Sequence, residues 1–357
     1  MTQKNDTPAM IIALVITLGL IGGGIWFFTR SSGFNLGTLL GSGSSSPGTT
    51  SGTAPGQAAG TGQPGVQAFS EVQTVPSGLF SYGGSTTWAP IRGMVDPTLQ
   101  TAVPGFQLRY VDPLSGPPSS GAGIEMLLNR QLVFAQSSRA PNPEEYQAAQ
   151  QRGFTLREIP VALEGIAVAV NPSLNVPGPT LDQLRNIYTG QITNWSQVGG
   201  PNLPITPYSR PLDGGTVEFF VENVMGRAGF GSNVQFIPTT TEALRQVSNT
   251  PGGIYYASAP EVIGQCTTKP LPLGRQAGQF IAPYVEPLIP PEQCPAQRNQ
   301  INASALQSGD YPITRRLFVI VKENGQIDQQ AGEAYANLLL TDQGQSLLSD
   351  AGFVRIR

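Results

Sequence analysis

Residues 209–216 have the sequence SRPLDGGT. It places one arginine, Arg210, ahead of two adjacent glycines, Gly214 and Gly215, and a threonine, Thr216. Glycines let backbone N–H groups turn toward a ligand, and a helix start adds unpaired N–H groups and a partial positive charge. A guanidinium adds a two-pronged contact to an oxyanion. Because helical spacing follows directly, the stretch predicts a loop-to-helix junction that binds a small oxyanion.

Two other stretches have the same character. They are GGSTT at residues 83–87 and SSGAG at residues 119–123. Both mix glycines with hydroxyl residues, which add hydrogen-bond donors, and the second also runs into a helical pattern. We predict that the three stretches meet in one socket for a tetrahedral anion.

The composition excludes several classes of function. The chain has 357 residues, of which 12% are charged, and its formal net charge is −3. No cluster of lysine and arginine exists to neutralise the phosphates of a nucleic acid, so we expect no nucleic-acid partner. The sequence contains no histidine, the commonest general base and metal ligand, and no Walker-type phosphate loop. We therefore expect neither catalysis nor a metal or other cofactor.

The chain contains two cysteines, Cys266 and Cys294. They form no C-x-x-C pair, and without histidine they do not suggest a zinc site. In an exported protein we expect a disulfide between them, and two free buried thiols are the alternative.

The N-terminal region predicts a membrane anchor and a tether. After a short tail at residues 1–8, the uncharged apolar run at residues 9–29 would span about 30 Å as a helix. No small-residue cleavage site follows it, which favours an uncleaved anchor. Residues 30–75 are rich in Gly, Ser, Thr and Pro and predict a flexible linker. The globular body is then expected at residues 76–357.

The body alternates strand-like and helix-like stretches, which is typical of an α/β fold. Residues 159–170 form a long apolar strand pattern, interrupted by Glu164 and Gly165. Residues 124–132 have helical spacing, and Thr180 is placed to cap the helix that follows it. Residues 317–321 predict a further strand, followed by two terminal helices.

Several motifs, in order, resemble the substrate-binding proteins of phosphate ABC transporters, the PstS family. The resemblance covers residues 77–357. Besides the three stretches above, it includes FAQSSRAP at 134–141, GQITNW at 190–195, YPITR at 311–315 and AGFV at 351–354.

The resemblance implies a type II periplasmic-binding-protein fold with an anion in the cleft between two lobes. One lobe would comprise residues 76–163 and 314–357, and the other residues 164–313. It also implies inorganic phosphate as ligand, an ABC permease as partner and an extracytoplasmic location for the body. The implied anion contacts are Thr86, Ser120, Ser138, Arg210, Gly214, Gly215 and Thr216.

The sequence departs from the family pattern at two contacts. Ser138 stands where the family usually has an aspartate that accepts the proton of hydrogen phosphate, and Gly214 stands where it often has a serine. Selectivity against sulfate is then expected to be weaker, unless Asp213 or Glu125 supplies the proton acceptor. The fold expectation is unaffected by either departure.

Three alternatives remain open from the sequence. Arg210 could form a surface ion pair with Asp213 instead of, or as well as, binding an anion. The ligand could be sulfate or another oxyanion. The chain could be a sensor or scaffold that uses the same fold without transport.

Overall fold

The computed structural model of the chain describes residues 66–212 and 215–356. The predicted anchor at residues 9–29 lies outside the described residues, as do Asp213, Gly214 and most of the predicted linker. Within the described ranges, no helix is both long enough and apolar enough to span a bilayer.

Strands and helices alternate along the described chain, which confirms the α/β prediction. The strands are β1 (Gly78–Gly84), β2 (Phe106–Tyr110), β3 (Phe134–Ser137), β4 (Thr155–Val170), β5 (Thr206–Ser209), β6 (Gln235–Phe236), β7 (Gly253–Ser258), β8 (Lys269–Leu271), β9 (Leu273–Gln276), β10 (Gln279–Ile281) and β11 (Thr314–Glu323). The helices are α1 (Ala89–Ala102), α2 (Ser120–Leu128), α3 (Pro143–Gln151), α4 (Leu181–Tyr188), α5 (Gly215–Asn223), α6 (Thr240–Asn249), α7 (Ala259–Val262), α8 (Ala303–Ser308), α9 (Ile327–Leu339) and α10 (Asp342–Asp350).

Most of the strands form one mixed sheet that β4 divides into two halves. The strand order is β2-β1-β3-β11-β4-β7-β5-β6, with β8 also paired to β4. From Thr155 to Gly165, β4 pairs with β11; from Ile166 to Val170 it pairs with β7. We call β2, β1, β3, β11 and the first part of β4 the first half-sheet. Strands β5, β6, β7 and β8 and the second part of β4 form the second half-sheet, and β9 and β10 form a separate two-stranded sheet.

Parallel pairing in the first half-sheet places the carboxyl ends of β1 and β3 at the same edge. Strand β1 is parallel to both β2 and β3, and Gly84 is in register with Gln136. The loops that follow β1 and β3 therefore lie at the same edge of the sheet, the edge at which ligands bind in open α/β sheets. Helices α1 and α2 start from loops at this same edge.

Each half-sheet has its own hydrophobic core. In the first half, Trp88, Phe134 and Tyr335 are buried between the sheet and helices α1 and α9. In the second half, Trp195 and Phe220 are buried among residues of β4, β7 and helices α4 and α5. Trp88 and Trp195 are both fully buried. The division of the chain into two lobes at residues 163/164 and 313/314 stays a prediction.

The structure corrects three local predictions. Strand β4 runs without interruption through Glu164 and Gly165, because Glu164 is paired with Arg315 on β11. Leu132 lies beyond the end of α2 at Leu128. The linker ends before residue 75, since Phe69 is buried in the first core and residues 66–67 accept backbone hydrogen bonds from Asp342 and Gln343.

The expected disulfide between Cys266 and Cys294 is confirmed, with 5.6 Å between the two Cα atoms. It lies in the region at residues 260–308. That region contains the β9–β10 hairpin and ends with α8. The disulfide therefore links two segments that carry little other secondary structure.

Candidate functional site

Three buried serines from three different loops meet at the edge of the first half-sheet. Ser85 follows β1, Ser120 is the first residue of α2, and Ser138 follows β3. The hydroxyl of Ser85 donates to Ser138 Oγ at 3.2 Å, and the Ser120 and Ser138 hydroxyl oxygens are 3.1 Å apart. The backbone N–H of Ser138 also donates to Ser120 Oγ at 3.1 Å. All three side chains are almost fully buried. We call them the serine cluster.

Glycines allow these loops to approach one another so closely. A Cβ atom at Gly84 would lie 2.2 Å from the carbonyl oxygen of Gln136, and Gly84 has a φ of +127°. A Cβ atom at Gly123, in the first turn of α2, would lie 2.5 Å from the Cα of Gly84. A side chain at either position would push the start of α2 away from β1 and separate the serines.

The start of α5 lies directly against the serine cluster. A Cβ atom at Gly215 would be 2.9 Å from Ser138 Oγ, 3.4 Å from Ser120 Oγ and 3.5 Å from Ser85 Oγ. The starts of α2 and α5 therefore converge on the three hydroxyls, one from each half of the sheet. The first turn of each helix brings backbone N–H groups and a positive partial charge to the same place. Such an arrangement can hold a group with several acceptor oxygens.

One buried arginine connects the two halves at this point. Arg315 on β11 donates from Nη2 to the hydroxyls of Thr87 at 2.8 Å and Thr216 at 3.1 Å. It also donates from Nη1 to the carbonyl oxygen of Gly215 at 2.9 Å. Its Nε lies 2.6 Å from Oε2 of Glu164, which is fully buried on β4. The other oxygen of that carboxylate accepts a hydrogen bond from the hydroxyl of Ser258.

Arg210 lies at the end of β5, beside a group of residues on β7 and α7. The hydroxyl of Ser209 donates to the Arg210 carbonyl oxygen at 2.9 Å and is 2.8 Å from the Tyr256 hydroxyl. Burial raises the pKa of Tyr256 above its usual range, and the positive charge of Arg210 opposes that rise. Burial and the nearby charge of Glu164 raise the pKa of Glu261, which Arg210 also opposes. Arg210 therefore brings its charge to the second half of the sheet.

A cleft of about 700 Å³ opens beside the serine cluster. Its walls are the loop from Ser138 to Asn142, the exposed face of α5, and Arg315, Arg316 and Phe318 of β11. Arg139 in this wall is held by two hydrogen bonds to Glu145, at 2.8 and 2.9 Å. Burial raises the pKa of Glu218, on the opposite wall, while Arg139 opposes the shift. The cleft thus gives solvent a route toward the buried hydroxyls.

A chain of polar side chains supports the first loop from behind. Arg92 on α1 donates to the Ser85 carbonyl oxygen at 3.1 Å and to Gln136 Oε1 at 3.0 Å. Gln136 Nε2 donates to the Tyr335 hydroxyl at 2.9 Å, and that hydroxyl donates to Asp96 at 2.8 Å. Burial raises the pKa of Asp96 to about 6. These contacts fix the backbone that carries Ser85.

The structure brings together some of the residues expected from the sequence. Ser120, Ser138 and Gly215 lie in one cluster, and Thr216 is linked to it through Arg315. Thr86 is partly exposed in the turn Thr86–Trp88. Glu125, one of the two expected proton acceptors, has an exposed side chain on α2. Gly214 and Asp213 lie outside the described residues.

Four residues in or near the serine cluster were not predicted from the sequence as part of the site. Ser85 and Thr87 lie within the stretch GGSTT, but the resemblance selected Thr86 between them. Glu164 is a carboxylate within a long apolar strand, which is itself a signal of a buried ion pair. Its partner Arg315 ends the stretch YPITR but was not among the implied anion contacts.

The family follows from comparison with known proteins. Residues 30–343 match the model of the family described as "PBP superfamily domain". The chain belongs to the PBP superfamily. This confirms the recognised fold family and makes the chain a binding protein rather than an enzyme.

Within the PBP superfamily, the chain is similar to named relatives. It is 26% identical over 275 residues to the phosphate-binding protein PstS of Staphylococcus haemolyticus, covering 76% of this chain and 79% of the relative. It is also 26% identical over 285 residues to protein SphX of Synechococcus elongatus, covering 77% of each chain. The crystal structure of an ABC-type phosphate transport receptor from Vibrio cholerae aligns with a TM-score of 0.61 at 20% identity, covering 77% of this chain and 99% of that one. The last similarity shows the shared fold.

Proposed function

We propose that this chain is an extracytoplasmic solute-binding protein that captures inorganic phosphate for an ABC-type uptake system. Residues 9–29 would anchor it in the membrane, and the Gly- and Ser-rich segment after them would let the body reach the permease. The proposal rests on the site first and on the relatives second.

The observation that carries the proposal is the convergence of buried donors on one point. Ser138 Oγ lies 3.2 Å from Ser85 Oγ and 3.1 Å from Ser120 Oγ, and the start of α5 lies against all three hydroxyls. Hydroxyl and N–H groups of this kind suit an anion that has shed its water, since each hydrogen bond is stronger in a dry site. Arg210 would add charge from the second half of the sheet, as proposed from the sequence. The backbone N–H groups of Gly214, Gly215 and Thr216 and the hydroxyl of Thr86 complete the proposed set.

The named relatives support phosphate as the ligand. The Staphylococcus haemolyticus relative is called a phosphate-binding protein, and the Vibrio cholerae structure a phosphate transport receptor. The motifs of this chain follow the same order as those of the PstS family over the whole body. An ABC permease would be the partner that receives the anion.

Sulfate is the second candidate ligand, because of Ser138. The Ser138 side chain forms hydrogen bonds with the hydroxyls of Ser85 and Ser120. A hydroxyl does not repel an unprotonated oxyanion as a carboxylate does. The site is therefore expected to discriminate less between sulfate and phosphate than a site with an aspartate at this position.

Isothermal titration calorimetry on the full-length protein tests the ligand. We expect saturable phosphate binding at micromolar concentrations or below. We also expect the preference for phosphate over sulfate to be smaller than in a site with an aspartate at position 138. If neither anion binds more tightly than about 1 mM, the proposed function is wrong.

Two other observations test the rest of the proposal. Retention of the protein in washed membranes tests the anchor. Permease and ATPase genes beside its own gene would favour uptake over sensing.

A further inference from the structure

Resting on the proposed function, we propose that Arg315 orients the hydroxyls of Thr87 and Thr216 as donors to the bound anion. Arg315 would then be a positioning residue of the site, acting through two threonines, one on each half of the molecule. Neither the sequence motifs nor the relatives assign it this role.

The direction of two hydrogen bonds carries the inference. Nη2 of Arg315 lies 2.8 Å from Thr87 Oγ1 and 3.1 Å from Thr216 Oγ1. A guanidinium has only donors, so both threonine oxygens must accept. Each hydroxyl has a single proton, and that proton is left for another partner. Because a charged donor polarises the hydroxyl that accepts from it, both become stronger donors themselves.

Backbone amides act on the serine cluster in the same way. The N–H of Ser138 donates to Ser120 Oγ at 3.1 Å, and the N–H of Thr87 donates to Ser85 Oγ at 3.3 Å. Each of these bonds occupies a hydroxyl oxygen as an acceptor. The oxygens of Ser85 and Ser120 are thus already occupied as acceptors before an anion arrives, and the proton that Ser85 donates to Ser138 Oγ would turn to the anion on binding, which lowers the cost of ordering these hydroxyls.

Glu164 holds Arg315 in the required orientation. The two residues are direct neighbours across the antiparallel pair β4–β11, immediately before β4 changes partner from β11 to β7. The carboxylate binds Nε at 2.6 Å, which leaves the two terminal nitrogens to reach Thr87, Gly215 and Thr216. The pair is almost fully buried, so its geometry is not loosened by water.

If Arg315 only stabilised the fold, replacing it would lower the stability of the protein without lowering its affinity for phosphate. Removing Arg315 alone leaves a buried, uncompensated Glu164 and is expected to destabilise the protein strongly. The double variant Glu164→Gln/Arg315→Met removes both charges and serves as the folded background. Arg109→Met, at an exposed arginine on β2, is the matched control for loss of one positive charge.

The experiment measures the phosphate dissociation constant of the full-length protein by calorimetry, with thermal unfolding as the test of folding. We expect Glu164→Gln/Arg315→Met to bind at least about 30-fold more weakly than Glu164→Gln, while Arg109→Met stays within about threefold of wild type. Thr87→Val is expected to cost about tenfold in the wild-type chain and less than threefold in the double variant, and Thr87→Ser to cost little in either.

Three results would overturn the inference. The first is a double variant that binds phosphate as tightly as Glu164→Gln. The second is an equal cost of Thr87→Val in both backgrounds. The third is no cost of Thr87→Val in the wild-type chain, which is decisive even if the double variant does not fold. Because wild-type binding is measured in the same series, failure of this inference is distinguishable from failure of the proposed function.

Discussion

Ser85 and Ser138 follow adjacent parallel strands, and their hydroxyl oxygens are 3.2 Å apart. The pairing of β1 with β3 sets this distance, because Gly84 and Gln136 are in register one and two residues before the serines. Strand pairing thus produces a donor cluster from segments that are far apart in the sequence. The start of α5 then brings the second half of the molecule to the same point.

Replacing Ser138 with aspartate tests how the site discriminates between anions. In Ser138→Asp, the carboxylate would accept the proton of hydrogen phosphate but would repel sulfate, at a cost of several kcal/mol. We expect sulfate binding to weaken by at least about 30-fold more than phosphate binding. Titration calorimetry with both anions measures this, and Ser138→Asn is the uncharged control. Equal losses for the two anions in Ser138→Asp would contradict the explanation.

Replacing Arg210 tests the source of positive charge. We expect Arg210→Ala to lose roughly 2–4 kcal/mol of anion-binding free energy, because the other donors would hold a buried anion without its counter-charge. The measurement is the dissociation constant at low and high salt. Arg109→Ala is the control at an exposed position. Unchanged affinity would show that the positive charge needed for anion binding comes from another residue.

A single methyl group at Gly215 tests the contact between α5 and the serines. The added Cβ would lie 2.9 Å from Ser138 Oγ, so the hydroxyl must move or the helix start must shift. We expect Gly215→Ala to weaken phosphate binding at least about tenfold, or about 1.4 kcal/mol. Gly229→Ala is the matched control, since a Cβ there has no neighbour within 4 Å. Equal affinities of the two variants would show that anion binding does not depend on this contact.

The buried Asp96 predicts a component of stability that depends on pH. Its carboxylate accepts hydrogen bonds from Tyr82 and Tyr335 at 2.5 and 2.8 Å, yet burial raises its pKa from 3.8 to about 6. The folded state then binds the proton more tightly than the unfolded state. This contribution is present below about pH 4 and is lost as the pH rises through 6, up to about 3 kcal/mol.

Chemical denaturation of wild type and Asp96→Asn across this range measures the component. The difference in unfolding free energy between the two proteins should change between pH 4 and pH 6.5, with wild type losing stability relative to the variant as the pH rises. A difference that stays constant across the range would contradict the assignment to Asp96.

Much of the fold was predictable because its signals are local. The N-cap at Thr180 is confirmed by a hydrogen bond from the Gln183 N–H to its hydroxyl at 3.2 Å. The glycine and hydroxyl stretches marked three of the loops that meet. Both signals depend on only a few adjacent residues, so they can be identified from the sequence alone.

The rest required the tertiary arrangement. Whether Thr86 or Thr87 reaches Arg315 depends on the turn Thr86–Trp88, whose geometry the sequence does not determine to one residue. Strand β4 passes through Glu164 because Arg315, far along the chain, neutralises it. Phe69 packs in a core whose other buried members come from residues 80–162 and 317–353, so the linker boundary predicted from composition was too late in the chain.

A crystal structure of the protein grown with phosphate would show where the anion binds. We expect one tetrahedral anion within about 3.2 Å of the hydroxyls of Ser85, Ser120 and Ser138 and of backbone N–H groups at the start of α5. We also expect the Thr87 and Thr216 hydroxyls to remain bonded to Arg315. A phosphate bound elsewhere, with the serine cluster unchanged and unoccupied, would show that the serine cluster is not the anion site.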